Sequence, residues 1–280
     1  MGFNKIAYLL KLAKNSEKQL NCRIYIVGGF IRDLILKIKS IDLDLVVEGN
    51  GIEVANYFHN ILDGKLTVYK KFFTASLKLK DNFVIDFATA RTEEYPKPAS
   101  MPVVYPATLK KDLFRRDFTI NTMAIPISEY RIQNTVYSII DPCEGLNDIK
   151  NKLIRVLHKK SFIDDPTRIL RAIRYANRFN FRIEKNTEKW MNSAIKKNLL
   201  SLVSASRIRD EFIKTLEEEK AKKILLEFKK RNVLKYIDNN LNIFAISVKK
   251  KSVKTRLNNL LKCFTEEQKK TFLQKLCLPH

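Results

Sequence analysis

The chain has 280 residues, 45% of them hydrophobic, and carries 53 Lys and Arg against 30 Asp and Glu, for a formal net charge of +23. That length and apolar content exclude disorder throughout and suit one to three domains with a substantial core, while no apolar stretch approaches the roughly 20 residues of a bilayer span and no period suggests a solenoid. The four cysteines, Cys22, Cys143, Cys263 and Cys277, form no CxxC pair, and His59, His158 and His280 are dispersed, which speaks against a zinc site or a disulfide scaffold. The N-terminal MGFNKIAYLLKLAKNSEKQL is a short amphipathic pattern without the long apolar core of a signal peptide, so a cytoplasmic protein without a membrane partner is expected. Charge is uneven: residues 1–150 hold 21 Lys and Arg against 17 Asp and Glu (+4), and residues 151–280 hold 32 against 13 (+19). A near-neutral half joined to a basic half suggests a polyanion held by one part and worked on by the other. A Lys-rich compositional bias would give the same count.

In chain order, Ile24–Val27 reads as a short buried strand, and the Gly28-Gly29 pair lets the backbone turn tightly and approach a ligand such as a phosphate, which a Cβ would repel. Phe30–Lys37 carries apolar positions at helical spacing. Ile41–Val47 alternates as a strand that points Asp42 and Asp44 to one face. Like charges so close repel, and at neutral pH such a pair is normally relieved by a divalent cation, typically Mg²⁺ bound together with substrate phosphates. Taken singly, Gly-Gly is as readily a plain turn and Asp-Leu-Asp the solvent face of an edge strand; the two together are rarer.

A helix over Gly51–Leu62 and strands over Leu66–Tyr69, Ala75–Leu79 and Phe83–Ala88 follow, the last two forming a hairpin through Lys80–Asn82. Asp86 either faces the same site, completing the acidic cluster of a two-metal phosphoryl-transfer enzyme, or is a buried or edge aspartate with a structural partner. Pro96, Pro98, Pro102 and Pro106 rule out regular helix over Thr92–Thr108 and predict a long irregular loop. Arg115 and Arg116, just before Asp117, suit phosphate oxygens through their forked donors, or else form a solvated face.

Beyond DPCEGLNDIKNKLIRVL the chain reads as mainly helical. In SFIDDPTRILRAIRYANRFNF, Pro166 suits a first helical turn and Asp164 or Asp165 its cap. Arg168, Arg171, Arg174 and Arg178 share one arc, with Leu170, Ala172, Ile173 and Ala176 on the opposite, inward arc. Asp165 and Arg168, one turn apart, offer an acceptor and forked donors suited to the polar edge of a base. An intrahelical salt bridge is the alternative.

The ordered series GGFIRD, DLD, RRDFTINTMA, DDPTRILRAIRYANRFNF and SASRIRDEFIK, from about Ile24 to Lys214, resembles the class II tRNA nucleotidyltransferases, the CCA-adding enzymes, and their bacterial poly(A) polymerase relatives. The resemblance implies an α+β fold: a nucleotidyltransferase (polymerase beta-like) head with a mixed sheet over residues 1–145, then an all-α neck over 146–215 and a short basic helical body over 216–280 that binds tRNA. It implies a template-independent enzyme that adds CMP, CMP and AMP from CTP and ATP to the tRNA 3′ end. By position, the metal-binding aspartates fall on Asp42 and Asp44, with Asp86 beside them as a catalytic candidate. Triphosphate contacts fall on Gly29 and Arg32 next to Gly28, and sugar and phosphate contacts on Arg116 with Asp117. The base readers of the family's EDxxR motif fall on Asp165 and Arg168, with Arg171 and Arg174 as further nucleotide contacts.

Asp164 stands where that motif has Glu, which keeps the charge and shortens the reach. Members usually continue further past SASRIRDEF, so a reduced tRNA grip is expected, with KAKKILLEFKKRN and SVKKKSVKTRLNNLLK as compensating phosphate contacts. CC-adding members typically lack a loop between the DLD and RRDFTIN motifs. Here residues 91–113 fill that place, and TMAI after RRDFTIN looks closer to the CCA-adding side than to the poly(A) side, so CCA addition is expected. A-only or CC-only addition, poly(A) synthesis and a non-catalytic RNA-binding homologue are the alternatives.

Overall fold

The computed structural model describes residues 2–38, 42–130, 138–246 and 252–278. These form two compact units, residues 1–94 with 102–150, and residues 95–101 with 151–280. No helix among the described residues is long and apolar enough to cross a membrane.

The first unit opens with α1 (Gly2–Gln19), whose Leu9, Leu10, Leu12 and Ala13 are buried at helical spacing. There follow β1 (Arg23–Val27), α2 (Gly29–Ile35), β2 (Asp42–Glu48), α3 (Gly51–His59), β3 (Gly64–Tyr69), β4 (Thr74–Leu79) and β5 (Val84–Thr89). Helix α2 stops short of the expected Lys37 because Lys37 adopts a left-handed φ of 56°, and the turn closes by Ile38 N donating to Asp33 O. Ile41, expected to open the second strand, lies outside the described residues. Asn50 caps α3 by accepting from the Ile52 and Glu53 amides at 3.1 and 3.3 Å. That helix ends at His59, three residues before the expected Leu62.

A short strand, β8 (Ala124–Pro126), completes a six-stranded sheet of order β3-β4-β5-β2-β1-β8, in which β2 and β5 are parallel and every other pair antiparallel. Period-2 alternation divides its two faces. Leu43, Leu45, Val47, Ile85 and Phe87 are buried on one side with Val54 and Phe58 of α3, the Phe58 and Phe87 rings meeting edge-on at 4.9 Å. Tyr25, Val27, Val46 and Ala88 point the other way and pack with Leu109 and Leu113 of α4 (Leu109–Phe114). Asp42, Asp44 and Asp86 share this second face by the same alternation.

The expected irregular loop over Thr92–Thr108 is corrected at its ends. β6 (Arg91–Glu94) and β7 (Val103–Pro106) pair as an antiparallel ribbon with Arg91 opposite Pro106. Three prolines fall between the two strands and Pro106 ends the second, where the missing N–H costs the ladder little. Helix α5 (Gly145–Lys150) closes the unit, and its Asp148 accepts from Thr119 Oγ1 at 2.6 Å.

The second unit is mainly helical. β9 (Leu153–Ile154) pairs in parallel with β10 (Arg182–Ile183). Around them lie α6 (Ser161–Asp164), α7 (Thr167–Phe179), α8 (Lys185–Lys196), α9 (Ala205–Glu217), α10 (Ala221–Lys230), α11 (Val253–Leu260) and α12 (Glu266–Lys275). Asp165 is extended at φ −133°, ψ 93°, as a residue before proline tends to be, and this separates α6 from α7. Ile169, Leu170, Ala172 and Ile173 of α7 are fully buried against α9 and α10, while Ala176 is only half-buried. On the arginine arc of α7, Arg168 and Arg174 are buried. Arg256 of α11, itself buried, donates Nη1 to the Leu216 carbonyl at 2.7 Å and to that of Glu218, placing a cation at the negative C-terminal end of α9. Phe212 and Phe272 meet edge-on at 6.3 Å, joining α9 to α12.

Candidate active site

The site in the first unit starts from Gly28. Its φ of +71° is a conformation that L side chains rarely adopt, and a Cβ there would lie 3.1 Å from both Arg116 Nη1 and Asp44 Oδ2. The bare Cα therefore keeps a cation and a carboxylate close to one backbone turn. Gly29 begins α2 and lies under the Arg32 guanidinium, with Nη2 3.2 Å from where a Cβ would stand.

Arg32 is buried and held on two sides: Nε donates to Asp33 Oδ1 at 2.8 Å and Nη1 to Asn121 Oδ1 at 2.6 Å. Asn121 Nδ2 donates in turn to Asp117 Oδ1 at 3.0 Å. Asp117 thus serves the Arg32 side of the site through Asn121. Arg116 donates Nη2 to Asp112 Oδ2 at 2.9 Å, and the same fully buried carboxylate accepts from Arg115 Nη2 at 2.6 Å through Oδ1. Arg115 also donates to Glu93 of β6 at 2.8 Å, which ties it to the ribbon, whereas Arg116 reaches the Gly28 turn.

Asp44 and Asp86 are register partners on the parallel strands β2 and β5, and alternation puts Asp42 on their face. Asp42 and Asp86 are exposed and Asp44 is partly buried. Burial, reinforced by the charges of Asp86 and Asp42 and opposed by Arg116 and Arg32, pushes the Asp44 carboxyl up to about 6. Asp86 has no hydrogen bond or ion pair among the described residues, so the structural partner considered for it is not found there. Carboxylate oxygens are hard donors, and a strained anion next to a glycine turn with arginine donors fits a divalent cation shared with phosphates. Among the described residues no three acidic, His or Cys side chains gather as a metal cage.

In the second unit Asp165 Oδ1 accepts from the Thr167 amide at 2.9 Å, from Thr167 Oγ1 at 2.5 Å and from Arg207 Nη2 at 2.7 Å. Arg168 donates Nη1 to Ser161 Oγ at 2.7 Å. Asp164 faces His158 Nδ1 at 4.0 Å, and burial, ahead of the nearby Arg168 charge, holds that imidazole below its usual range. Arg171 and Arg174 are engaged by Glu211 of α9 at 3.2 and 2.9 Å, and Glu218 lies 3.4 Å from Arg174 and 3.5 Å from Arg178. Sequence reasoning missed Asp112, Asn121, Ser161, Arg207, Glu211 and Glu218. Asp112 left a signal in its spacing, three and four residues before Arg115 and Arg116 on one helical turn, and Asn121, Arg207 and Glu211 lie within the segments RRDFTINTMA and SASRIRDEFIK.

A mixed sheet carrying paired carboxylates beside a glycine turn, followed by a helical unit, defines the nucleotidyltransferase class. A family model described as the poly(A) polymerase head domain matches residues 24–155, and one described as the probable RNA- and SrmB-binding site of polymerase A matches residues 180–241. The chain is 44% identical over 215 residues to the A-adding tRNA nucleotidyltransferase of Aquifex aeolicus strain VF5, covering 77% of this chain and 26% of that protein. Among solved structures, a CCA-adding enzyme in an apo form is 37% identical with a TM-score of 0.76, covering 99% of this chain and 68% of that one. A tRNA nucleotidyltransferase complexed with a primer tRNA and an incoming ATP analogue is 34% identical with a TM-score of 0.73, covering 95% and 80%. The chain belongs to the family of tRNA nucleotidyltransferases and poly(A) polymerases, and it spans about a quarter of the length of the Aquifex relative.

Proposed function

We propose that the chain transfers nucleotides without a template to the 3′ end of tRNA, and that its addition is the terminal AMP, taken from ATP. The observation that carries the reaction class is the Asp42 and Asp44 pair on the face that Gly28 and Arg116 share. The A-adding name of the Aquifex relative supports AMP as the nucleotide. A second reading, addition of the whole CCA, is supported by the filled stretch over residues 91–113 and by the CCA-adding neighbour.

In this reading the Gly28-Gly29 backbone, Arg32 and Arg116 receive the triphosphate, with Asn121 and Asp117 fixing Arg32 and Asp112 fixing Arg116. Asp42 and Asp44 would hold a divalent cation, Mg²⁺ in our assignment, which when bound offsets phosphate charge and lowers the pKa of the attacking hydroxyl, and Asp86 lies opposite Asp44 as a further catalytic candidate. The primer 3′ oxygen attacks the α-phosphorus in line. A new O–P bond forms, the bond to the bridging oxygen breaks, pyrophosphate leaves, and the hydroxyl proton passes to solvent. Asp165 and Arg168 select the base, because an acceptor beside forked donors can stand in for a pairing partner. Arg171 and Arg174 complete the nucleotide contacts, and the basic second unit holds tRNA phosphates.

The test offers purified protein three tRNAs, ending at the discriminator base, at C and at CC, with ATP and CTP separately and together, and sequences the products. AMP added only to the CC-ended tRNA is the expected result, and CCA built on the discriminator base would establish the second reading. No extension of any tRNA would overturn both.

A further inference from the structure

The aspartates of the first unit head two rows that run across its sheet. Pairing in register carries Asp44 to Asp86 on β5, Ser76 on β4 and Thr67 on β3, and carries Asp42 to Val84, Lys78 and Lys65 in the same order. Residues paired in this way project to one side, so all of these side chains share the face of the aspartates. Helix α4 packs on the part of this face nearer β1. On β4 and β3, by contrast, Lys78 and Lys65 are exposed, and Tyr69, two residues beyond Thr67 on the same face, is 50% exposed. Lys65 and Lys78 stand directly opposite each other, and neither side chain has an ion pair or hydrogen bond among the described residues, although Lys80 nearby pairs with Asp63 at 2.7 Å. Like charges facing each other across a strand pair are destabilising. Two uncompensated cations kept side by side fit an anion supplied from outside the chain.

The direction of the reaction says which anion. In the proposed function the triphosphate lies at Gly28, Arg32 and Arg116, at the end of β1, and β1 borders β2 on the side away from β5. In-line displacement sets the leaving pyrophosphate and the entering hydroxyl on opposite sides of the α-phosphorus. The primer therefore reaches the aspartates from the β5 side, over β4 and β3. At about 4.8 Å per strand, Lys78 lies about 10 Å and Lys65 about 14 Å from Asp42 along the row. We propose that Lys65 and Lys78 dock the single-stranded 3′ end of the RNA primer, together clamping one backbone phosphate upstream of the attacking hydroxyl, with the Tyr69 ring offered to a neighbouring base. The inference rests on the proposed nucleotide transfer and adds the path of the primer strand over the sheet.

The experiment measures AMP addition to tRNA ending in CC by the full chain as wild type, Lys65→Gln, Lys78→Gln and both together, with ATP binding followed by equilibrium titration. The double variant is expected to raise the KM for tRNA about tenfold and to flatten its log–log salt dependence by about 0.7, the value of one single-strand phosphate contact, with kcat within about threefold of wild type. Its ATP affinity should match wild type, and its melting temperature should hold or rise, since a like-charge pair is relieved. Lys65→Arg with Lys78→Arg should keep the wild-type KM. A second arm places a neutral methylphosphonate at each of the last few phosphodiesters of the tRNA in turn. At one position the wild type should lose as much as the double variant loses on unmodified tRNA, and the double variant should lose nothing further. An unchanged KM for tRNA, an equal loss of ATP affinity, or methylphosphonate effects that add to the lysine effect at every position would overturn the proposal. A wild type that extends no tRNA sinks the transfer reading itself, whereas an active wild type with an equally active double variant sinks only the docking site.

Discussion

Asp112 offers the sharpest handle on how the first unit holds its cationic wall. Its carboxylate is fully buried and accepts from Arg115 Nε and Nη2 at 3.0 and 2.6 Å, from Arg116 Nε and Nη2 at 3.2 and 2.9 Å, and from the Arg91 amide at 3.3 Å. Burial alone would raise its pKa, but the Arg116 and Arg115 guanidinium groups outweigh burial and hold it below the usual carboxylate range. Asp112→Asn keeps the shape and turns one acceptor oxygen into a donor that faces a guanidinium. Removing one partner of a buried pair costs about 3–5 kcal/mol. Because the Arg115 and Arg116 side chains keep 17% and 15% exposure, water relieves part of the loss and the lower end, about 3 kcal/mol, applies. At about 2–4 °C per kcal/mol for a unit of this size, the transition of the first unit should fall by roughly 6–12 °C in a thermal melt followed by circular dichroism. Arg116 loses its hold beside Gly28 in the same variant, so ATP should bind roughly tenfold more weakly, a change of about 1.4 kcal/mol in equilibrium titration. A melting shift under about 2 °C together with unchanged ATP affinity would refute this account of Asp112.

Gly28→Ala combines a positive φ, which costs roughly 1–3 kcal/mol for a side-chain-bearing residue, with a Cβ pressed to 3.1 Å from Asp44 and Arg116. ATP affinity should drop while the melt of the second unit stays unchanged; ATP titration that matches wild type would contradict the close approach. With the Asp44 carboxyl pushed up to about 6, protons compete with a divalent cation below that pH. Mg²⁺ affinity measured by calorimetry should be level above pH 7 and fall toward about tenfold per unit below 6, and a flat profile from pH 5 to 8 would contradict the coupling. Glu211 is raised by burial and lowered more strongly by Arg171 and Arg174, so its folded-state pKa lies below 4.5. The unfolded chain then binds the proton more tightly: the Glu211 contribution is full above 4.5 and disappears as pH falls through the folded-state value. Glu211→Gln should therefore flatten the acid limb of stability measured in urea between pH 6 and 3, and an unchanged limb would count against the pair.

The face that carries the aspartates was legible because it depends on local rules. Alternation alone put Asp42 and Asp44 on one side of β2, and a glycine pair at a strand end gave the positive φ observed at Gly28. Asp86 was legible only as one of two alternatives, a member of the same site or an aspartate with a structural partner, because its parallel pairing opposite Asp44 is a long-range fact that no local pattern carries. The ribbon of β6 and β7 was missed because four prolines argue against regular structure, while two four-residue strands can tolerate one at an end. On α7 the helical period separated arginines from aliphatic residues correctly, but the period could not show that Glu211 and Glu218 stand opposite, some forty residues later in the chain. The same holds for Arg207, whose partners Asp165 and Ala99 are set by the packing of α9. What stayed hidden was the set of buried partners that hold the arginines in place, since a paired arginine and a solvated one look identical in a sequence.

In the proposed function the paired aspartates of β2 carry nucleotide transfer to a tRNA end. The most direct measurement extends labelled tRNA ending in CC with ATP and Mg²⁺, using the wild type and Asp42→Ala side by side, with tRNA binding measured by filter retention. The wild type is expected to add one AMP, and Asp42→Ala none while binding tRNA within about threefold of wild type, as it should if phosphate contacts on the basic unit supply that affinity. Full AMP addition by Asp42→Ala would contradict it.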